Sequence, residues 1–264
     1  MSTSGQGRSE TGDSSPDVLG TEAAILTTAE RLRSICPTIS VGTLTADLMH
    51  LGDELALLEE AGVSMVHVDV MDGCFCPTLT VGAPYVKGLR TPLIKDVHLM
   101  MHEPLSRLED YAAAGADVIT VQLESAIHIH RLLQHLGCIE HISGPERGLV
   151  RGLALNPGTA LEWLTAPLLD EIDLIVLLAV DPGWGGQVLS PVTYSRVAKV
   201  REIVATTGRE ILVAVDGGVT RDNIAPLARA GADIVVTGSA VFDGKAAATN
   251  AKFMLAAMQT AGAG

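Results

Sequence analysis

Two histidines and two aspartates in this chain sit where short apolar runs end. The run Val66–Gly73 reads VHVDVMDG. Side chains of a strand alternate between its faces, so His67, Asp69 and Met71 share one face. In Lys95–Met100, KDVHLM, the same alternation pairs His98 with Met100. Leu212–Gly218, LVAVDGG, ends its apolar run on Asp216. Neutral imidazoles and carboxylates suit zinc, iron(II) or manganese. His67, Asp69, His98 and Asp216 are therefore the expected ligands of one divalent ion. Each alone has a plainer reading: a strand-end histidine is often a satisfied polar residue, and a strand-end aspartate often caps the next helix. The four together are harder to dismiss, because inward charges need a compensating ion or partner.

Glycines cluster after three later apolar runs. They fall in Asp181–Gly186 (DPGWGG), at Gly217-Gly218 and at Gly238-Ser239. Glycine lets backbone N–H groups approach an anion, and the start of a following helix favours negative charge. Gly183, Trp184, Gly185, Gly186, Gly217, Gly218, Gly238 and Ser239 form the expected phosphate-binding set. A metal on one side and a phosphate on the other fit a short sugar phosphate. A metal on its carbonyl and adjacent hydroxyl stabilises an enediolate. Asp69 and Asp216, from strands far apart in sequence, then flank the reacting carbon; one removes a proton and the other returns one, which inverts the centre. A Schiff-base mechanism needs an inward lysine at a strand end. Of Lys87, Lys95, Lys199, Lys245 and Lys252, only Lys95 lies in a predicted strand, and alternation turns it away from His98.

The elements that must position these residues repeat one theme. Strands are predicted near Thr38–Val41, Met65–Val70, Ile94–Leu99, Val118–Gln122, Gly152–Leu155, Leu174–Ala179, Ile211–Asp216 and Ile234–Thr237, with helical patterns between them. One such pattern runs from Asp47 to Ala61, with Leu48, Leu51, Leu55, Leu57 and Leu58 on one broad face. Ala61-Gly62, Ala114-Gly115 and Ala230-Gly231 each precede a strand, as a helix C-terminus requiring positive φ would. Strands alternating with helices imply a parallel sheet. The absence of GxGxxG after the first strand favours a closed (β/α)8 TIM barrel, an α/β fold, over an open doubly wound sheet.

The expected organisation is a disordered tail over residues 1–20, an N-terminal helix and lead-in over 21–37, and a single barrel domain over 38–260. The helix is expected across Thr21–Arg33. Residues Ile139–Arg151 read as a polar inserted loop. Cys74-Phe75-Cys76 reads as loop packing, and His128, His130 and the His135–His141 stretch as a solvated face.

The bulk composition bounds the partners. The chain has 264 residues, 47% apolar and only 3% aromatic, so its core is aliphatic. A net charge of −13 argues against nucleic acid and an anionic membrane surface as partners. The longest apolar run, Leu174–Val180, is far short of the roughly 20 residues of a membrane helix. Four cysteines in a chain this long make no disulfide framework, and no secretory stretch opens the sequence, so a cytoplasmic location is expected.

These motifs resemble the ribulose-phosphate 3-epimerase family from about Thr38 to Phe242. The resemblance rests on His67–Gly73, Asp96–Met100, Asp181–Gln187 (DPGWGGQ), Val215–Val219 (VDGGV) and Gly238–Phe242 (GSAVF). It implies metal ligation by His67, Asp69, His98 and Asp216, with cobalt added to the eligible ions. It also implies Asp69 and Asp216 as the acid–base pair, and a phosphate near Gly183–Gly186, Gly217-Gly218 and Gly238-Ser239. His98 joins the substrate-binding residues, and a homo-oligomer is expected. Four positions depart from the family pattern: Gly42 for a serine, Leu178 for a methionine, Gln122 for a histidine and Cys74 for a histidine. They resemble a divergent epimerase-like subgroup. They leave open a six-carbon ketose phosphate of the allulose 6-phosphate type, and a silent sugar-phosphate binding protein, beside D-ribulose 5-phosphate.

Overall fold

Strands such as Leu174–Leu178 (LIVLL) are apolar on both faces because both faces are covered, one by helices and one by the opposite wall of a barrel. The computed structural model describes Met1 and residues 26–144 and 147–262. Its parallel strands are β1 (Thr38–Gly42), β2 (Met65–Met71), β3 (Ile94–Met100), β4 (Val118–Gln122), β5 (Val150–Leu155), β6 (Leu174–Leu178), β7 (Leu212–Asp216) and β8 (Ile234–Thr237). They close in chain order, and β8 pairs with β1. This is a (β/α)8 TIM barrel. The helices are α1 (Thr28–Ile35), α2 (Leu51–Glu60), α3 (Ala83–Gly88), α4 (Leu108–Ala113), α5 (Ile129–Gly137), α6 (Ala166–Leu169), α7 (Val192–Ala205), α8 (Ile224–Ala230) and α9 (Ala247–Gly262).

Two apolar cores follow from strand alternation. Inward residues of the lower strands, among them Met65, Ile94, Val118, Val150, Leu174 and Ile234, fill the barrel, and Leu32 of α1 packs against them. Outward residues such as Val66, Val68, Val97, Ile175 and Val213 meet the helical ring, for example Leu132, Leu133 and Leu136 of α5. The barrel floor is thus a solid aliphatic plug, and polar inward residues occur above it.

Strand limits agree with the sequence to within two residues. Gly62, Gly115 and Gly231 all take positive φ at helix C-termini. Four expectations need correction. The helix expected across Thr21–Arg33 spans Thr28–Ile35, because Thr27 and Glu30 cap each other's backbone N–H; positions 21–25, like the expected tail, lie outside the described residues. The helix expected from Asp47 starts at Leu51, because the Asp47 carboxylate closes a turn onto Met49 N–H and the His50 ring. Leu48 therefore falls outside the helix and is exposed; within the helix Leu57 is exposed too, while Leu55 and Leu58 point inward. The polar insertion ends before β5, which begins at Val150. His141 is not solvated: it is buried, with its ring 3.0 Å from Asp117.

Candidate functional site

The β2–β3 register sets His67 beside Asp96 and Asp69 beside His98, and β7 brings Asp216 to the same mouth. Each of the four predicted ligand residues offers one atom, and these atoms all lie within 4.8 Å of one another. His67 Nε2 is 3.0 Å from Asp69 and 3.8 Å from Asp216. His98 Nδ1 is 3.5 Å from Asp69 and 3.6 Å from Asp216. The imidazoles are buried, whereas the Asp69 and Asp216 side chains keep 26% and 14% of their surface. Histidines therefore form the floor of the cluster and carboxylates its open side.

Asp96 supports this floor. Its buried carboxylate lies 2.7 Å from His67 Nδ1 and accepts from Ser40 Oγ at 3.0 Å. His67 Nε2 is thereby left to face the cluster. His98 Nδ1 is buried, has no hydrogen-bond partner, and faces the same point. A buried lone pair aimed at two carboxylates and a second imidazole fits a divalent cation well.

Charges in the cluster respond to each other. Burial opposes a proton on His67, but Asp96 and Asp69 outweigh it and raise the imidazole well above its ordinary value. Burial likewise opposes charge on His98, and contacts with Asp216 and Asp69 raise it. Burial alone would raise the Asp69 carboxyl; the charge and hydrogen bond of His67 hold it below the usual carboxylate range instead.

A cavity of about 530 Å³ opens above the carboxylates. Asp69, Asp216, Trp184, Gly185, Gly186, Gly217, Gly218, Gly238 and Ser239 line it, as do Gly42, Thr45 and Asn223. Gly183 does not: it packs on Cys76 and Pro77, and Thr78 Oγ1 donates to its carbonyl, tying the loop after β6 to the loop after β2. His98 lies beneath the wall rather than on it. No lysine or arginine lines the cavity among the described residues. Lys95 points outward, to Val86 O.

The glycines have a second reason to be there. A Cβ on Gly218, at φ +66°, would lie 2.5 Å from Leu189 N, and one on Gly238 would lie 2.7 Å from Thr45 Oγ1. The Leu189 backbone at Gly218 and the Thr45 side chain at Gly238, not only a ligand, exclude side chains at these positions. The same crowding draws the loops after β1, β6, β7 and β8 around one space. The Asn223 side chain helps by bonding Gly218 O and Thr220 N.

Sequence reasoning gave no role to Asp96, Ser40, Thr45 or Asn223. Asp96 carried a usable signal, since it stands two positions before His98 and so shares its inward face.

Fold and site together define a (β/α)8-barrel protein with a candidate metal centre at the strand C-termini, where barrels of this kind carry their chemistry. The chain belongs to the ribulose-phosphate 3-epimerase family, whose model matches residues 38–242. It is 41% identical over 209 residues to ribulose-phosphate 3-epimerase of Escherichia coli (strain K12), a match covering 78% of this chain and 88% of that one. It is 39% identical over 211 residues to ribulose-5-phosphate-3-epimerase, chloroplastic, of Arabidopsis thaliana, covering 78% and 72%. Among solved structures it resembles KGPDC from Streptococcus mutans, with TM-score 0.63 and 17% identity over 85% of this chain and 98% of the other. It also resembles orotidine 5'-phosphate decarboxylase from Pyrococcus horikoshii OT3, with TM-score 0.58 and 15% identity over 84% and 99%. At such identities the structures show the shared fold alone. No helix among the described residues is long and apolar enough to cross a membrane.

Proposed function

We propose that this protein is a metal-dependent 3-epimerase of a small ketose phosphate, D-ribulose 5-phosphate or a close analogue. One observation carries the reading: both carboxylates of the four-residue cluster line the cavity, while both imidazoles are held beneath them. His67, Asp69, His98 and Asp216 would hold one divalent ion, zinc, iron(II), manganese or cobalt. When bound, such an ion polarises the substrate carbonyl and stabilises the charge left as the neighbouring proton departs.

The chain's own residues do the rest. Asp69 and Asp216 approach the cavity from β2 and β7, so a substrate carbon between them presents a different face to each. One carboxylate takes the proton and the other delivers one to the opposite face, which inverts the carbon. His67 and His98 keep both carboxylates at the cavity floor. With no cationic side chain in the wall among the described residues, backbone N–H groups of the glycine loops after β6, β7 and β8 receive the phosphate.

A six-carbon ketose phosphate is the second reading. Gly42 leaves the wall beside Asp69 without a side chain, and a Cβ there would meet Gly238 Cα at an ordinary 3.6 Å. A Cβ is tolerated there, and glycine leaves its volume to the cavity.

The test is exchange of solvent deuterium into the carbon beside the carbonyl, with five- and six-carbon ketose phosphates as substrates. Wild type is expected to exchange one of them, and Asp216→Asn to lose about 10²–10⁴-fold in rate. Affinity without exchange in the wild type would make the protein a sugar-phosphate binder instead.

A further inference from the structure

His98 and His67 present different nitrogens to the cluster, and different neighbours decide this. His67 Nδ1 meets Asp96, which leaves Nε2 for the site. His98 does the reverse: its Nδ1 faces Asp69 and Asp216, and its Nε2 lies 3.1 Å from the Gln122 amide at the end of β4.

The Gln122 side chain is completely buried. One end of its amide faces His98 Nε2; the other faces Ala154 O at 3.3 Å and Glu124 Oε2 at 3.1 Å. Both of the latter are oxygens that accept. The amide NH2 must point at them, because the opposite orientation would set three oxygens against each other. The Gln122 oxygen then faces His98, so His98 Nε2 must carry a hydrogen, and Nδ1 is the atom left for the cluster.

Glu124 is itself anchored. Its Oε1 accepts from Asn156 N at 2.9 Å and from Thr159 Oγ1. Arg196 donates to Thr159 O at 2.8 Å and to Asn156 O at 3.2 Å. A chain of hydrogen bonds thus runs from the loop after β5 through Glu124 and Gln122 to His98.

We propose that Gln122 is a positioning residue: buried and oriented by Glu124 and Ala154 O, it keeps the proton on His98 Nε2 and so reserves Nδ1 for a metal ion. The proposal rests on the metal-site reading above. Partners of this kind typically change metal affinity by about 10–100-fold. Without Gln122, the two carboxylates facing Nδ1 would draw the remaining proton to that side, where it competes with the ion.

The experiment uses the full chain with zinc alone as probe. Zinc affinity is measured by competition with a chelator, and the His98 ring nitrogens by ¹⁵N–¹H correlation, with and without zinc. Wild type is expected to show a proton on His98 Nε2 in both forms. Gln122→Met is expected to lose that resonance and to bind zinc about 10–100-fold more weakly. The double variant Gln122→Glu with Glu124→Gln exchanges the charge and the amide. It still offers an oxygen to His98 and an NH2 to the new carboxylate but sets a carboxylate oxygen against Ala154 O, and is expected to recover part of the zinc affinity lost in Gln122→Met.

An unprotonated Nε2 in the wild type overturns the proposal. So does a folded Gln122→Met protein with wild-type affinity, or a double variant no better than a destabilised Gln122→Met. A wild type that binds zinc no better than His67→Ala removes the metal reading, and the positioning role with it. The Nε2 resonance separately decides whether the hydrogen bond exists.

Discussion

Gly218→Ala is the sharpest probe of the glycine-lined rim. Gly218 has φ +66°, a conformation that costs an L-residue roughly 1–2 kcal/mol. Its new Cβ would lie 2.5 Å from Leu189 N and 2.8 Å from Leu189 Cα. Ordinary contact begins at 3.4 Å, so the two backbones must separate by about 0.9 Å. Neither atom belongs to a flexible side chain, and overpacking of this kind costs about 1–3 kcal/mol. The expected destabilisation is therefore about 2–5 kcal/mol, less whatever loop movement relieves. That movement carries Leu189 and the loop after β6 away from the loop after β7, and so opens the proposed phosphate site. Gly185→Ala is the control. It lines the same cavity, its Cβ would meet nothing within 4 Å, and its φ is not in the left-handed region. It should stay within about 0.5 kcal/mol of wild type. Urea unfolding reads stability, and competition by inorganic phosphate reads the site. Should Gly218→Ala match Gly185→Ala in both, the close approach of these loops would not be what shapes the rim.

Two further outcomes follow from the charges. Zinc entering the cluster at neutral pH should release protons, because His67 and His98 are both raised and each must present a bare nitrogen; calorimetry in two buffers of different ionisation enthalpy measures the number, and none released would contradict the site. In zinc-free protein the contribution of the raised histidines is complete below the ordinary imidazole range and fades as pH climbs through their raised values. That of Asp69, held low, is present above the ordinary carboxylate range and fades in strong acid. Stability without metal should thus fall between neutral and alkaline pH, and zinc should reverse the fall. Of the thiols, Cys74 and Cys138 are exposed and should alkylate in the native protein, whereas burial pushes Cys36 up to about 12 and raises Cys76. Labelling of Cys36 at the rate of Cys74 near pH 8 would show that the α1–β1 junction opens.

What could be read from the sequence is what the period-2 geometry of a strand controls. His67, Asp69, His98 and Asp216 were identifiable because alternation and chain order alone bring strand ends to one side of a parallel barrel. The missing parts depend on contacts between segments distant in sequence. Nothing local to Gln122 says that Ala154 O, from β5, will face its amide beside the neighbouring Glu124, yet those two acceptors orient it. His141 sits in a polar stretch, but Asp117 captures it from before β4. Gly183 looks like its neighbours in DPGWGG, yet it supports the loop after β2 while Gly185 and Gly186 line the cavity. Strand ends place the candidate ligands near one another; residues such as Asp96 and Gln122 decide which atom each ligand offers. A variant that keeps all four candidate ligands but alters those neighbours should therefore keep the barrel and lose metal affinity, and that separation distinguishes a built site from a chance meeting of polar side chains.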